Sequence, residues 1–405
     1  MSRKWLEREG SRWVEQNIVT REQYTKLLSL YPDKQHAIGV LPVLGSVLVG
    51  LGLLSFIAAN WQTISPLWRL LLILAVMAGL YLAGERLLRR GHDKLGIAVM
   101  GIGLLAFGGG IVLIGQTFHF VAGNSASFLV WAIAGLLLTF LYPSRYLFLL
   151  TLAIFHTAQV YSVSNFQAFS YTGAVLMTVG LGAYLYKRSD SLLTGLLGLS
   201  ILFQTVLLVA LKEWALMWVL VPAMALYAAG DWLQRRERLA SLQTPALVAA
   251  YLIGVFLVLF VNERESSYLE EHVRANAMYY IPVVLVLFAI SVYGKWKDRR
   301  EISALEWLLF LPVAYFSSGA DVVALVLLFL FSLYVLWRGY AEEWRFKINF
   351  GTVLFLFSTM IAYGKLTWAF MDKSLFFILG GVLLLMLSWL LNRRRRRFLD
   401  ETEEG

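Results

Sequence analysis

The sequence predicts an all-α integral membrane protein, a polytopic bundle of about 14 transmembrane helices with both termini in the cytoplasm. Three observations carry this prediction: only 15% of the 405 residues are charged, long apolar runs recur along the chain, and no alternating strand pattern is visible. A soluble domain averages about 25% charged residues, so this chain has too little polar surface to cover itself in water. Because hydrocarbon offers no hydrogen-bond partner, the apolar runs are predicted to be helices.

Fourteen segments have the length and hydropathy of membrane spans. They lie near residues 40–59, 67–84, 95–114, 126–142, 145–161, 168–186, 191–211, 214–230, 244–261, 279–293, 303–318, 320–337, 347–363 and 373–391. Polar termini flank them. The chain is therefore divided into a cytoplasmic helical hairpin (1–37), a transmembrane helical domain (38–391) and a cytoplasmic tail (392–405).

The distribution of Lys and Arg predicts the orientation of these spans. With the N-terminus inside, the inner segments hold 29 of the 35 Lys and Arg residues and the outer segments hold six. Cytoplasmic loops carry such an excess of cations, and one missed or added span would mix the two groups. The net charge of +9 is therefore mainly a topology signal. Membrane lipids are the expected partner of these cations, and nucleic acid is not.

The N-terminal segment 1–37 is charged and lacks the features of a signal peptide, so the first apolar segment is expected to remain as an anchor. It reads as two short helices, with a capping box at Thr20–Gln23 and a stop at Pro32. Two roles remain possible for this hairpin: it packs against the membrane or the first loop, or it docks a partner protein.

At the other end of the chain, a run of five arginines follows the last predicted span. We interpret the run as an anchor to lipid headgroups, because anionic lipids attract cations at the cytoplasmic surface. Its members are Arg393, Arg394, Arg395, Arg396 and Arg397.

Several stretches resemble a known family. They are "RWVEQNIVTREQYTKLLSLY" in the opening, "FIAANWQTISPLWRLLL" and "GIVLIGQTFHF" at the first and third spans, and "RFKINFGTVLFLFSTMIAYGKL" with "SLFFILGGVLLLMLSWLLNRRRRR" at the close. These resemble the bacterial membrane-protein family known as domain of unknown function 2157. The resemblance implies a multi-pass protein of the bacterial cytoplasmic (inner) membrane. It does not indicate which activity the protein has.

Polar side chains gather at the predicted outer ends of three spans. A short and almost uncharged loop follows the third span, and the loop after the fifth is short as well, so the three helix ends could form one pocket for a substrate. The predicted pocket residues are Asn60, Trp61, Gln116, His119, His156 and Gln159. Gln116 and His119 lie three residues apart, as do His156 and Gln159, a spacing that places each pair on one helix face.

His156 stands out because it lies about 7–8 Å inside its span, at 1.5 Å per residue. Ionisable groups at such depth are costly and often functional. The alternatives are a neutral imidazole bonded to a neighbouring helix through Gln159 or Asn60, a group that binds substrate or handles protons, and a metal ligand. No metal site is predicted, since the two histidines lack a clear carboxylate companion.

Glycines in the spans, above all Gly101 to Gly110, are expected to let helix backbones approach closely. Unwinding of the third span at Gly108–Gly110 is the alternative. The acidic side chain of Asp321 is expected to cap the twelfth span.

Three classes of function remain open. The first is a transporter or flippase-like protein for a lipid-linked or amphipathic substrate. The second is a non-catalytic scaffold or sensor that signals through the N-terminal hairpin. The third is an outer-face membrane enzyme with His119 or His156 as general base. An enzyme is the less favoured class, no cofactor is expected, and the absence of cysteine excludes disulfides and thiol catalysis.

The ionisable groups weigh against ion-coupled transport. His156 is the one ionisable group placed well inside a span, and Asp231 and Glu306 fall near the inner edge. A lateral groove at the polar cluster would favour lipid handling, whereas a closed shallow cup would favour an enzyme or a sensor.

Overall fold

The computed structural model describes residues 64–119, 123–233, 239–260, 272–297, 304–316 and 319–367, with shorter runs between 10 and 30, 44 and 59, and 375 and 387. Every regular element within these residues is a helix, which confirms the predicted all-helical class. In chain order the helices are α1 (Arg21–Leu30), α2 (Pro66–Arg89), α3 (Asp93–Thr117), α4 (Ala126–Leu141), α5 (Arg145–Phe166), α6 (Tyr171–Val175, Leu176–Leu181 and Gly182–Arg188), α7 (Ser191–Leu211), α8 (Leu220–Leu233), α9 (Gln243–Phe260), α10 (Ala277–Lys297), α11 (Ala304–Trp307), α12 (Ala320–Ala341) and α13 (Arg345–Thr367).

Eight of the helices in the described part of the chain are long and apolar enough to cross a membrane: α2, α3, α5, α7, α9, α10, α12 and α13. Helix α4 and the segment Leu216–Trp232 are shorter and equally apolar. Much of the first predicted span, 40–59, and of the last, 373–391, falls outside the described residues. The protein is therefore multi-pass and helical, and the count of fourteen stays a prediction.

The N-terminal cap of α1 forms as its sequence predicts. The backbone N–H of Gln23 donates to Thr20 Oγ1 (3.3 Å), and the Gln23 side chain accepts from the Thr20 N–H (3.0 Å). The two bonds satisfy amide groups that the first turn of a helix leaves without partners.

The chain divides into two compact units. The first comprises residues 1–122 and 141–150, and the second comprises 123–140 and 151–405. Within the first unit, α2 and α3 form an antiparallel pair with glycines at the contact. A Cβ atom added to Gly96 would lie 3.0 Å from the carbonyl oxygen of Gly84. Helix α3 runs without interruption through Gly110, so it is not unwound at Gly108–Gly110. At Gly110 itself the close neighbour is a side chain, since an added Cβ would lie 2.7 Å from Cγ2 of Ile73.

Beside that pair, the hydroxyl of Tyr142 donates to Glu85 Oε2 (2.6 Å), and Glu85 also pairs with Arg89 (2.8 Å). The hydrogen bond to the carboxylate raises the pKa of Tyr142, because the bond stabilises the protonated phenol. This contact ties the turn before α5 to the end of α2.

In the second unit, three helices are joined by buried hydroxyl groups. Tyr251 on α9 and Ser358 on α13 have oxygens 2.8 Å apart, and Ser332 on α12 lies 3.0 Å from Ser358. All three residues are buried. Small polar groups of this kind join helices where apolar contact alone does not specify a register.

The hairpin of α12 and α13 depends on two glycines. A Cβ atom added to Gly339 would lie 2.8 Å from the backbone nitrogen of Ile348, and one added to Gly351 would lie 2.7 Å from the nitrogen of Leu336. These are backbone contacts, which cannot be relieved by turning a side chain. The two helices therefore approach as closely as small residues allow.

Asp321 is not the N-cap residue of α12, but its carboxylate does accept a hydrogen bond from a first-turn N–H, that of Val322 (2.9 Å). Helix α12 begins after Gly319, whose positive φ of 76° forms the turn, and Asp321 lies inside the first helical turn. Its other carboxylate oxygen pairs with Lys365 at the end of α13 (3.0 Å). This ion pair closes the α12–α13 hairpin at that end.

Replacing Gly351 with alanine should destabilise the protein by about 1–3 kcal/mol, because the added methyl group meets backbone atoms of α12. The matched control is Gly364→Ala on the same helix, where a Cβ would meet nothing within 4 Å. Thermal unfolding of the purified protein in detergent measures both. Equal stability of the two variants would contradict the close approach.

Candidate functional site

A lateral groove opens between α5 and α7 in the second unit, with a volume of about 750 Å³. It is lined by His156, Thr157, Val160, Tyr161, Ser164, Asn165, Leu196, Leu199, Ser200 and Phe203. Leucine, valine and aromatic side chains form most of its wall, and hydroxyl and amide groups from the last turns of α5 add polar positions. None of the lining side chains carries a formal charge with histidine neutral.

His156 is the predicted residue that this groove contains. Its imidazole is half-buried, lies edge-on to the ring of Phe203 with 5.1 Å between centroids, and leaves Nδ1 without a hydrogen-bond partner. The predicted bond to Gln159 is not formed. This Nδ1 nitrogen is buried, and a buried polar atom without a partner costs about 1–3 kcal/mol.

Gln159 has a different role from the one expected. Its side chain is buried, and its amide can donate to the carbonyl of Ser170 (3.2 Å) and accept from the Ser170 N–H (3.3 Å). The Ser170 hydroxyl in turn caps α6 by accepting from Gly173. Gln159 therefore fixes the turn between α5 and α6 and does not line the groove.

Gln116 and His119 do not share a helix face. Helix α3 ends at Thr117, and His119 adopts the left-handed conformation with φ 55° just beyond it. A residue in this conformation commonly terminates a helix, and the helical spacing of three residues no longer applies past it. Both side chains are exposed.

The gathering of the six predicted residues into one pocket stays a prediction. Asn60 and Trp61 lie outside the described residues. Of the other four, two belong to each compact unit.

The predicted lipid headgroup anchor also lies outside the residues that the structure describes, so its role stays a prediction. It comprises Arg393, Arg394, Arg395, Arg396 and Arg397.

A second cluster, which sequence reasoning missed, is built from buried charges. Asp231 on α8 is 1% exposed and accepts from Ser291 (2.5 Å) on α10 and from the Gln243 amide (2.7 Å) on α9. The ammonium group of Lys295, 4% exposed, lies 3.8 Å from the same carboxylate. Such charges are tolerated in an interior only when paired and hydrogen-bonded.

Tyr227 extends the cluster from Lys295 to Glu306. The Lys295 ammonium donates to the Tyr227 hydroxyl (2.7 Å), and this hydroxyl donates to Glu306 Oε2 (2.5 Å). Lys295 Nζ also lies 4.8 Å from the ring centroids of both Tyr227 and Trp307, within the range of cation–π attraction.

Arg338 and Glu342 carry the chain of charges onward. Arg338 lies 3.8 Å from Glu306 and 2.8 Å from Glu342, which also pairs with Lys347 (2.8 Å). Partial burial works to raise the pKa of Glu342, but the bonds from Lys347 and Arg338 outweigh it and hold the pKa below its usual range. We call Asp231, Lys295, Tyr227, Glu306 and Arg338 the ionic cluster.

Glu306 belongs to a segment that sequence analysis predicts as a regular helix over 303–318. Among residues 304–316 the structure has α11, two 3₁₀ turns (Leu308–Phe310 and Val313–Tyr315) and extended backbone at Leu311. Pro312 explains the break, because it lacks an N–H and biases the preceding residue towards extended conformations. We call residues 304–316 the broken segment.

The broken segment nevertheless runs from one end of α12 to the other. Its first turn contacts Arg338, near the end of α12. At its other end, the Tyr315 hydroxyl donates to the Ala275 carbonyl (2.7 Å), just before α10, and α12 begins at Ala320. The distance along α12 between Ala320 and Arg338 is about 27 Å. Irregular backbone at such depth is tolerated where protein buries it, and Phe310, Val313 and Ala314 are each 3% exposed.

The sequence does contain a signal for the ionic cluster. Tyr227 and Asp231 are four residues apart on α8, and Ser291 and Lys295 are four apart on α10, so each pair shares a helix face. From its position in the sequence, Lys295 is assigned to the cations at the inner surface of the membrane. Its burial shows that the polar face of α10 turns into the protein.

These features define the class: a multi-pass helical membrane protein with a lateral groove and a buried ionic cluster. Residues 11–148 match the family model described as "Predicted membrane protein (DUF2157)", which confirms the resemblance for that part of the chain. Searches of curated proteins and of solved structures find no match. In the described part of the chain, no three His, Asp or Glu side chains are placed to hold a metal ion together.

Replacing Lys295 with methionine should destabilise the protein by about 3–5 kcal/mol, because it leaves the Asp231 carboxylate buried without its cation. The double variant Asp231→Asn/Lys295→Met should recover part of the loss. Denaturant unfolding in detergent measures both. Lys297→Met, at an exposed position on the same helix, is the control and should change stability little. A Lys295→Met variant as stable as this control would contradict the pairing.

Proposed function

We propose that the protein moves an amphipathic, lipid-like molecule across the membrane, with the groove between α5 and α7 as its path. One observation carries the proposal: the groove is open at the side of two apolar helices, where lipid chains would have direct access. A lateral opening suits a substrate that enters from the bilayer, whereas an enzyme or sensor for a soluble ligand would need a pocket open to water.

The groove's chemistry narrows the substrate class. Its apolar wall fits an acyl or polyprenyl chain, and Ser164 and Asn165 offer neutral hydrogen-bonding groups near one end. The imidazole ring of His156 also lines the groove. With no fixed charge among the lining residues, recognition rests on chain packing and neutral hydrogen bonds rather than on a charged headgroup.

We also propose that the chain crosses the bacterial cytoplasmic membrane fourteen times with both termini in the cytoplasm. The support is the separation of 29 inner from six outer cationic residues. The course of the broken segment from one end of α12 to the other agrees with this count, since it lets 303–318 act as a crossing without being a helix.

Cysteine substitutions test the orientation, because the natural chain contains no cysteine. Asn124→Cys, before α4, should react with a membrane-impermeant maleimide in intact cells. Lys94→Cys, at the start of α3, should react only after permeabilisation. Both positions are exposed, so each thiol can be reached once the reagent is on its side. The reverse labelling pattern would invert the proposed topology.

Filling the groove should stop the proposed transport. Val160→Trp places a large ring in the groove, and Val206→Trp is the matched control on α7, since Val206 is similarly exposed (47% against 43%) but does not line the groove. In vesicles of phosphatidylethanolamine and phosphatidylglycerol, the rate of movement of a fluorophore-labelled phospholipid should fall by about tenfold or more in the first variant, equivalent to about 1.4 kcal/mol.

The movement is measured as loss of fluorescence to a reductant that cannot cross the bilayer. Protein-free vesicles give the background rate. Wild-type protein at this background, with a photoreactive phospholipid that also fails to label α5 or α7, would refute lipid handling. Equal rates for the two tryptophan variants would refute the groove as the path.

A further inference from the structure

We propose that Glu306, Tyr227 and Lys295 form a proton-binding site that controls the position of the broken segment. The inference goes beyond the lipid-handling proposal, because it rests on the ionic cluster alone and holds whatever the groove carries. The ligand is a single proton taken from water.

Tyr227 makes the cluster a continuous proton path. Its hydroxyl accepts from Lys295 Nζ (2.7 Å) and donates to Glu306 Oε2 (2.5 Å), so the three groups lie in series. One proton can pass from the ammonium to the phenol oxygen while the phenol proton passes to the carboxylate. The products are a neutral amine and a neutral carboxylic acid, and the net charge of the pair is unchanged.

The path leads from the interior towards water. The side chain of Asp231 is 1% exposed and that of Lys295 is 5% exposed, whereas Glu306 is 16%, Arg338 is 27% and Glu342 is 36% exposed. Glu306 is therefore the group at which a proton from water would enter.

Protonation of Glu306 would change what holds the broken segment. The groups that face Glu306 are Tyr227 from α8, with Lys295 from α10 behind it, and Arg338 from α12 with Tyr334 beside the guanidinium. The neutral acid loses its attraction to Arg338 and its role as a charged acceptor for Tyr227.

The opposite end of the broken segment is held differently. The Tyr315 hydroxyl donates to the carbonyl of Ala275, and the Arg274 guanidinium donates to the carbonyl of Phe316. These two acceptors are backbone carbonyl groups, which do not titrate. We infer that proton uptake at Glu306 loosens the first turns of the segment and leaves this end in place.

A single cysteine in the otherwise cysteine-free chain can report this loosening. Leu309→Cys adds a thiol at an 8% exposed position in the first turns of the broken segment. In purified protein, its maleimide reactivity is expressed relative to that of Asn124→Cys, which removes the pH dependence of the thiol itself. This ratio should rise by about tenfold or more between about pH 8 and about pH 4, the range over which carboxyl groups in general take up protons.

Glu306→Gln imitates the protonated acid. Combined with Leu309→Cys, it should give the high ratio already at about pH 8 and remove the pH dependence. The matched control is Glu85→Gln in the first unit, since Glu85 also accepts from a tyrosine and pairs with an arginine. The control should leave the wild-type pH profile unchanged.

Tyr227→Phe separates a proton site from a structural contact. Without the phenol donor the Glu306 carboxylate is less stabilised, so the rise in reactivity should move to higher pH. A contact with only a structural role would raise the ratio equally at every pH. This variant also serves if Glu306→Gln fails to give a single symmetrical peak in size-exclusion chromatography.

A ratio that stays flat with pH in folded wild-type protein would overturn the proposal. A Glu306→Gln variant that keeps the wild-type pH profile would also overturn it. So would a Tyr227→Phe variant whose reactivity ratio is raised equally at every pH. None of these readouts involves lipid movement, so failure here and failure of the groove proposal are distinguishable.

Discussion

The constraint on which this structure depends is that polar groups away from water must find partners within the chain. Long helices satisfy it automatically along their backbones. The broken segment satisfies it differently, by local 3₁₀ bonds such as that from the Phe316 N–H to the Val313 carbonyl (3.0 Å) and by burial against α9 and α12. The ionic cluster satisfies it for side chains, since each charge faces an opposite charge or a hydroxyl. Irregular backbone and charge thus occur together where α8, α10 and α12 can shield both.

Hydropathy was sufficient to predict most of the long helices in the described part of the chain, though not the break in 304–316. The predicted span 191–211 coincides with α7, and the span 126–142 differs from α4 by a single residue. The reason is that membrane helices are bounded where apolar runs meet turn residues, and both signals are local. The capping box at Thr20 and Gln23 is local in the same way.

The candidate sites were harder to predict because they depend on how each helix is rotated about its own axis and on the residue at which it ends. Lys295 looks like an inner surface cation in the sequence, yet the rotation of α10 points it towards Asp231. His119 looks like a helical partner of Gln116, yet α3 ends two residues earlier. Pro312 is a signal for the break, but the apolar run around it favours a helix. His156 does line a groove, and the sequence had placed it well inside the fifth predicted span.

Helix α6 contains six residues, Leu176–Leu181, wound as a π-helix between two α-helical parts. Such a turn holds one residue more than an α-helix needs. Side chains beyond Leu181 therefore point about 100° away from where an uninterrupted helix would place them. A helical wheel drawn across α6 would therefore assign the side chains of one half to the wrong face. Deletion of one residue within Leu176–Leu181 is a change in length that the helix could accommodate while both of its ends stay in place.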